Sequence, residues 1–361
     1  MTTFVDGTTI IYDSWLNAVD TACFSTPVQQ PNYILNGEFL VDQEYNGTSH
    51  SVLTGDTYPV DMCKVTSTYS GTVNAQRLSN ITGQTFNTAL RFTVASAIGA
   101  PGLTDEVTVA FPIEGKNIAR LGFGVASSTD SVAFSAYVRA SKNGNVAIAF
   151  RNGAKNRSYI QLWTGLVANT WTRIAAIAPV DITGTWEIGS LTGLQVGISL
   201  LAGTNLQGFS TPWFAANYTS TSSGTNFCTT NGDTFDISQV KVEKYNLGVT
   251  AYNIDTYANT LAQCQRYFYT PAVTANAAKV HGYSTTADTI YQNIRFPVTM
   301  RDVPTLSVAS VGNWTLTNAG TPTATEPSTD GFNLGITVTA TGIADATHVA
   351  GTAPFTASAR L

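Results

Sequence analysis

Apolar and polar residues alternate with a period of two along most of the chain. Thr88 to Val94, Val132 to Ala140, Val146 to Phe150, Thr170 to Ala176, Leu194 to Leu200 and Phe235 to Val242 are the clearest runs, set apart by clusters of Gly, Asn, Asp and Ser. Side chains at i and i+2 of a strand share a face, so such runs predict sheets packed on one side. In Phe134-Ser-Ala-Tyr-Val-Arg-Ala140 an apolar face alternates with a polar one. Asn143-Gly144 and Asn152-Gly153 stand between strand-like runs, the dipeptide that favours two-residue hairpin turns. No helix of three turns is expected between 32 and 247. Many short strands without helices predict a two-sheet sandwich or jelly roll.

Two segments break the alternation. Near the start, Thr8 to Tyr12 reads as extended, and Asp13 or Ser14 caps a helix whose stripe holds Trp15, Leu16, Val19 and Ala22 or Cys23. Pro27 and Pro31 end it. About ten residues of isolated helix are marginal in water, so this stripe is expected to dock onto something else. Further on, Leu261, Cys264 and Phe268 recur at helical spacing, with Asn259 or Thr260 as the expected cap and Pro271 as the stop. Ile294 to Val298, Thr305 to Val311 and Gly331 to Ala340 read as strands again. The sequence is therefore read as an all-β protein in three parts: an N-terminal anchoring segment over 1–31, a central β-sandwich over 32–247, and a linker helix with a smaller β domain over 248–361.

Composition sharpens this picture. Of 361 residues only 11% are charged, against a typical share of about 25%, while Ser and Thr outnumber the charged side chains roughly two to one. With 43% hydrophobic and 11% aromatic residues the chain has the means to bury a core. A net charge of −5 without a Lys/Arg run argues against nucleic-acid or anionic-membrane partners. The opening residues lack a basic stretch followed by an apolar one, and no run approaches the ~18 apolar residues of a membrane span; a soluble chain, not exported by the usual signal, is expected. Cys23, Cys63, Cys228 and Cys264 lie far apart and are read as reduced and buried. His50, His281 and His348 stand apart from one another and from carboxylate clusters, so no triad, metal or other cofactor is expected.

Several fragments occur together in an order that resembles one family. They are Phe4 to Asp20, Asn36-Gly37-Glu38-Phe39, Leu90 to Val94, Ile113-Glu114-Gly115, Phe134 to Ala140, Thr170-Trp-Thr-Arg173, Ile237 to Glu243, Leu261 to Phe268 and Phe296 to Thr305. In this order they are similar to virion proteins of tailed bacteriophages, of the tail-fibre and head-fibre kind that carry a jelly roll like carbohydrate-binding modules. Where that family commonly has Tyr-x-x-Asp-Arg-Trp, this chain has Tyr58-Pro-Val-Asp61-Met-Cys63 and lacks the Arg and the Trp.

The resemblance implies a fibre or spike subunit in the virion, assembled in the host cytoplasm and forming a homotrimer. Tyr12, Trp15, Leu16 and Val19 would anchor it to other virion proteins of the capsid, portal or tail. The β domains would contact host-surface glycans. The alternative is a purely structural head decoration or fibre shaft that binds only virion proteins.

For sugar binding, aromatic rings beside amide and carboxylate groups are the candidates, since a ring stacks on the apolar face of a pyranose while polar neighbours bond its hydroxyls. Tyr159, Gln161 and Trp163 share one strand face. Trp213 and Tyr218 lie in a Gly/Ser/Thr/Asn-rich loop region. The alternative for Tyr159, Gln161 and Trp163 is that they line a core or a subunit interface, as large aromatics are mostly buried. A depolymerase would need paired carboxylates across a scissile bond. Asp105 with Glu106 and Asp233 with Asp236 are read instead as turn residues, and no enzymatic activity is expected.

Overall fold

The computed structural model describes residues 3–5, 10–12, 28–271, 273–274, 276–349 and 351–361. Trp15, Leu16 and Val19 fall outside them. Two short strands, β1 (Thr3–Val5) and β2 (Ile10–Tyr12), pair antiparallel, so Tyr12 is in extended backbone.

The central strands are β3 (His50–Val52), β4 (Gly55–Val60), β5 (Cys63–Ser67), β6 (Thr72–Ser79), β7 (Thr88–Ser96) and β8 (Glu106–Glu114). After a four-residue helix, α1 (Gly115–Ile118), come β9 (Ser131–Ala140), β10 (Gly144–Asn152), β11 (Ser158–Leu166), β12 (Thr172–Pro179) and β13 (Thr192–Ala202). Two short pieces, β14 (Gln207–Gly208) and β15 (Ser220–Thr221), precede β16 (Thr234–Lys244). They build a jelly-roll sandwich of two six-stranded antiparallel sheets, ordered β11-β10-β13-β8-β5-β4 and β12-β9-β16-β7-β6-β3. We call these the first and second sheets.

Alternation decides what lies between them. In β9 the residues Val132, Phe134, Ala136 and Val138 point inward and are fully buried, and β10 contributes Val146, Ile148 and Phe150. Phe111 of β8 sits at mid-sandwich, its ring 6.5 Å from Phe134 and 6.3 Å from Phe39. The strands β7, β12 and β16 add Leu90, Phe92, Ile174, Phe235 and Ile237 to the same layer.

The Asn143-Gly144 turn is not the hairpin its sequence suggests. β9 belongs to the second sheet and β10 to the first, so residues 141–143 carry the chain across the sandwich. Neither Asn143 nor Gly144 has the positive φ that a two-residue hairpin demands. Asn152-Gly153 does open a true hairpin between β10 and β11, but a longer one, in which Lys155 takes positive φ and the Asn152 side chain bonds the backbone N–H of Asn156 and Arg157.

The C-terminal region opens with α2 (Tyr257–Gln265). Its cap is Thr256, whose hydroxyl accepts the Asn259 N–H at 3.3 Å, rather than Asn259 or Thr260. The remaining strands are β17 (Phe268–Tyr269), β18 (Lys279–Ser284), β19 (Thr289–Arg295), β20 (Thr305–Val308), β21 (Trp314–Thr317), β22 (Thr323–Thr325), β23 (Gly331–Thr337), β24 (Gly342–His348) and β25 (Phe355–Ser358). They form three three-stranded sheets around a separate core of Phe296, Met300, Trp314, Phe332, Leu334, Ile336 and Phe355.

Polar pegs join this region to the sandwich. Tyr267 donates its hydroxyl to Glu114 at 2.7 Å, Arg301 donates to the Ala359 and Ser190 carbonyls, and Arg360 pairs with Glu44 while lying 3.7 Å over the Phe268 ring. Gln43 links Asp61 to the Phe268 carbonyl. The described cysteines, Cys63, Cys228 and Cys264, are buried free thiols, and burial pushes that of Cys228 up to about 12.

Asp61 gives a pH signature. Burial raises its carboxyl to about 6 although Gln43 donates to both oxygens. Between roughly pH 4 and pH 6 the folded chain then binds more protons here than the unfolded one, so stability rises as the solution is acidified. Glu38, also raised by burial, acts in the same direction. Below about pH 4 the lowered carboxyls of Asp56 and Asp181 reverse the trend. Urea unfolding is expected to show a maximum near pH 4, about 2 kcal/mol above pH 7; a monotonic fall from pH 7 to pH 4 would contradict this.

Candidate functional site

The outward face of the second sheet is polar and aromatic, and the alternation that fills the core also builds it. β9 turns Ser135, Tyr137 and Arg139 outward while its apolar residues go in. Arg173 of β12 sits opposite Tyr137 in the ladder, and β7 contributes Arg91. In β16 the register against β9 shifts between Ser238 and Lys241, and Gln239 takes a positive φ of 48°. Such a bulge re-aims a side chain. Here it places Gln239 in a cleft and returns Lys241 and Glu243 to the outward face.

Residues 246–256, between β16 and α2, double back over part of this face as a strap. Lys241 and Glu243, both essentially inaccessible, lie 3.0 Å apart. Thr250 donates its N–H to Glu243 at 2.7 Å, and Lys241 donates to the Thr250 hydroxyl at 2.6 Å and to the Ala251 carbonyl at 2.9 Å. Burial lowers the Lys241 ammonium pKa, with Glu243 acting against that. Arg173 donates one nitrogen, Nη2, to the Thr250 carbonyl.

Beside the strap is an open cleft of about 220 Å³. Ser135, Tyr137, Arg173 and Gln239 form its floor, Thr85 one side, and Ala251, Tyr252 and Ile254 the other. Ile254 is 80% exposed at the rim. The polar groups here are largely unspent: among the described residues the Tyr137 and Thr85 hydroxyls and the Gln239 amide have no side-chain hydrogen bond, and Arg173 engages only Nη2.

One flank is aromatic and held rigid by charge. Phe86 stands edge-on to Trp171 at 4.9 Å and lies 5.3 Å from Tyr137. Arg139 covers the Trp171 ring at 4.8 Å. Arg139 and Arg91 both grip Asp236, at 2.6 and 2.7 Å, which buries that carboxylate between two guanidinium groups and raises the pKa of Arg91. The site therefore offers aromatic surface, hydroxyl and amide groups and a guanidinium around one open space. That combination suits a polyhydroxylated ring, stacked on one face and hydrogen-bonded at its rim.

The residues singled out from sequence lie elsewhere. Tyr159, Gln161 and Trp163 do share a face of β11, but it is turned into the sandwich. Tyr159 is buried, Trp163 is half-buried against the core, and the Gln161 amide oxygen accepts the Ile177 N–H at 2.6 Å, sealing the edge between β11 and β12. The outward face of β11 carries Ser158, Ile160 and Leu162, and Tyr218 packs with the latter two. Trp213 is half-buried, donates to the Pro179 carbonyl at 2.8 Å and meets Tyr159 and Trp186, each at 5.5 Å. Tyr218 stands edge-on to Phe214 at 5.7 Å. The structure thus joins Tyr159 to Trp213 in an aromatic cluster and leaves Tyr218 apart.

The expected turn carboxylates prove more engaged than turns require. Glu106 is buried 3.4 Å from Arg151, Asp233 pairs with Lys142, and Asp236 holds its two arginines. Of the cleft residues, Tyr137 and Arg173 sat in runs already legible as strands with one polar face. Tyr252 had no sequence signal, since its position depends on the strap folding back.

No family model matches the sequence. A search of curated proteins finds no match either. Among solved structures, the chain is similar to the enzymatically active domain of tailspike protein 4 of bacteriophage CBA120, at 10% identity over 59% of this chain and 21% of that one, with a TM-score of 0.30. It is also similar to the family 11 carbohydrate-binding module of a Clostridium thermocellum cellulosomal cellulase (10% identity, 61% and 97% covered, TM-score 0.27). A third similarity is to the N-terminal cellulose-binding domain of Cellulomonas fimi β-1,4-glucanase C (14% identity, 50% and 90% covered, TM-score 0.26). The chain spans about a fifth of the tailspike chain it matches. Likeness at this level carries no argument about a shared site or activity.

Proposed function

We propose that this chain is a glycan-binding subunit of a bacteriophage fibre or spike, and that it holds host-surface saccharide in the cleft between Tyr137, Gln239 and Tyr252. The observation that carries the reading is the set of unspent polar groups converging with aromatic surface on one open cleft of an otherwise tightly bonded sheet. Virion attachment rests on the ordered fragments that resemble phage fibre proteins. A homotrimer would multiply weak sites into useful avidity on a surface of repeated ligands.

The protein acts by binding rather than turnover in this reading. Two carboxylates on the outward face beside the cleft floor are committed: Asp236 to Arg91 and Arg139, Glu243 to Lys241 and Thr250. Neither is at liberty to work as an acid, base or nucleophile across a glycosidic bond.

Glycan-array binding by the purified full chain tests this. Tyr137→Ala is expected to weaken binding about tenfold through lost stacking and a lost hydroxyl contact. Trp163→Ala, which alters the sandwich edge, is expected to lower stability and leave affinity unchanged. Equal affinity of wild type and Tyr137→Ala would remove the cleft from the reading. Unchanged adsorption by particles lacking the protein would favour the structural-decoration alternative.

A further inference from the structure

The cleft has a charge character that the chain as a whole lacks. Net charge is −5, yet the outward face around the cleft holds Arg91, Arg139, Arg173 and Lys241 against Asp236 and Glu243. Two further carboxylates, Glu38 and Asp255, act on the Tyr252 side of the cleft, away from Arg173. Asp236 is consumed by two arginines and Glu243 by Lys241. Arg173 has no carboxylate within ion-pair distance among the described residues, and its Nε and Nη1 have no partner there. Its Nη2 bond to the Thr250 carbonyl, with Ser135 at 3.5 Å, fixes the guanidinium on the cleft floor and leaves those donors available.

We infer that the cleft takes an anionic saccharide, one bearing a carboxylate on the sugar ring, and that Arg173 is the residue that reads the charge. This rests on the glycan-binding reading and adds the ligand class to it. A guanidinium held at Nη2 keeps its charge and its Nε and Nη1 donors, so it gives a carboxylate a charge-assisted N–H bond, while an uncharged hydroxyl or hydroxymethyl group at the same position accepts a weaker one. Tyr137 and Gln239 supply the contacts common to acidic and neutral sugars; Arg173 separates them. Because the cleft is open to solvent, the attraction is screened by salt.

The test is an array on which uronate- and sialate-bearing saccharides stand beside matched neutral forms, probed with the full chain. Acidic members are expected to be retained over their neutral counterparts, with binding falling as salt rises from roughly 0.05 M to about 0.5 M. Arg173→Gln is expected to weaken acidic binding about tenfold or more and neutral binding by a clearly smaller factor. Arg173→Lys keeps the charge and should retain the salt dependence with intermediate affinity. Thermal melts of both variants check that the fold is intact. Equal retention of neutral and acidic forms, or an unchanged acidic affinity in Arg173→Gln, would overturn the inference while leaving glycan binding standing. Retention of no saccharide at all would instead bring down the glycan-binding reading.

Discussion

Replacing Glu243 with alanine is expected to lower the free energy of unfolding by about 3–5 kcal/mol, among the largest single-residue effects in this protein. The loss does not come from a strong pair as such. Lys241 and Glu243 are both out of contact with solvent, and each has given up hydration to be there. Removing the carboxylate strands an ammonium that cannot regain water without opening the strap, and frees the Thr250 N–H and hydroxyl from their acceptor. Ligand binding should fall in the same variant, since Tyr252 and Ile254 are carried by the strap. The double replacement Lys241→Met with Glu243→Leu is expected to recover much of the stability, because it removes both charges together. Urea unfolding of the two variants decides it. A single variant within about 1 kcal/mol of wild type would show that the pair is not buried in solution.

Phe111→Ala is expected to cost about 3–5 kcal/mol by a different mechanism. Its ring lies between the sheets, 1% exposed, and touches both the Phe39 segment and Phe134 of the opposite sheet. Truncation there opens a cavity that close-packed neighbours cannot refill. The control is Phe209→Ala, at a ring 77% exposed, where the change should stay within about 0.5 kcal/mol. Comparable losses at the two positions would mean that the sandwich is not packed around Phe111.

Period-two alternation made the sandwich strands legible because one face of each is apolar and the other polar; the run read as Val132 to Ala140 is β9 almost residue for residue. Strands flanked by cover on both sides gave less away. β8 reads Glu-Val-Thr-Val-Ala-Phe-Pro-Ile-Glu and is buried along its whole length. Sheet membership was not legible, and so Asn143-Gly144 looked like a hairpin when it is a crossing. The site was half legible for the same reason. Alternation shows that Tyr159, Gln161 and Trp163 share a face, but whether that face looks in or out depends on which neighbours the strand acquires. Tyr137 and Arg173 lie on equally ordinary strands. They become a site only because a bulge in β16 tips Gln239 toward them and a connector of no evident pattern folds back alongside.

That connector has a consequence for anyone cutting the molecule into pieces. A fragment ending with the last sandwich strand at Lys244 would keep the floor of the cleft and lose its far wall. It would also uncover the ammonium and carboxylate that the connector shields. Conversely, a different connector after Lys244 would recast one side of the cleft while the platform beneath stays untouched. The shape of that wall is thus set outside the β-sandwich, by residues that no strand of either sheet contains.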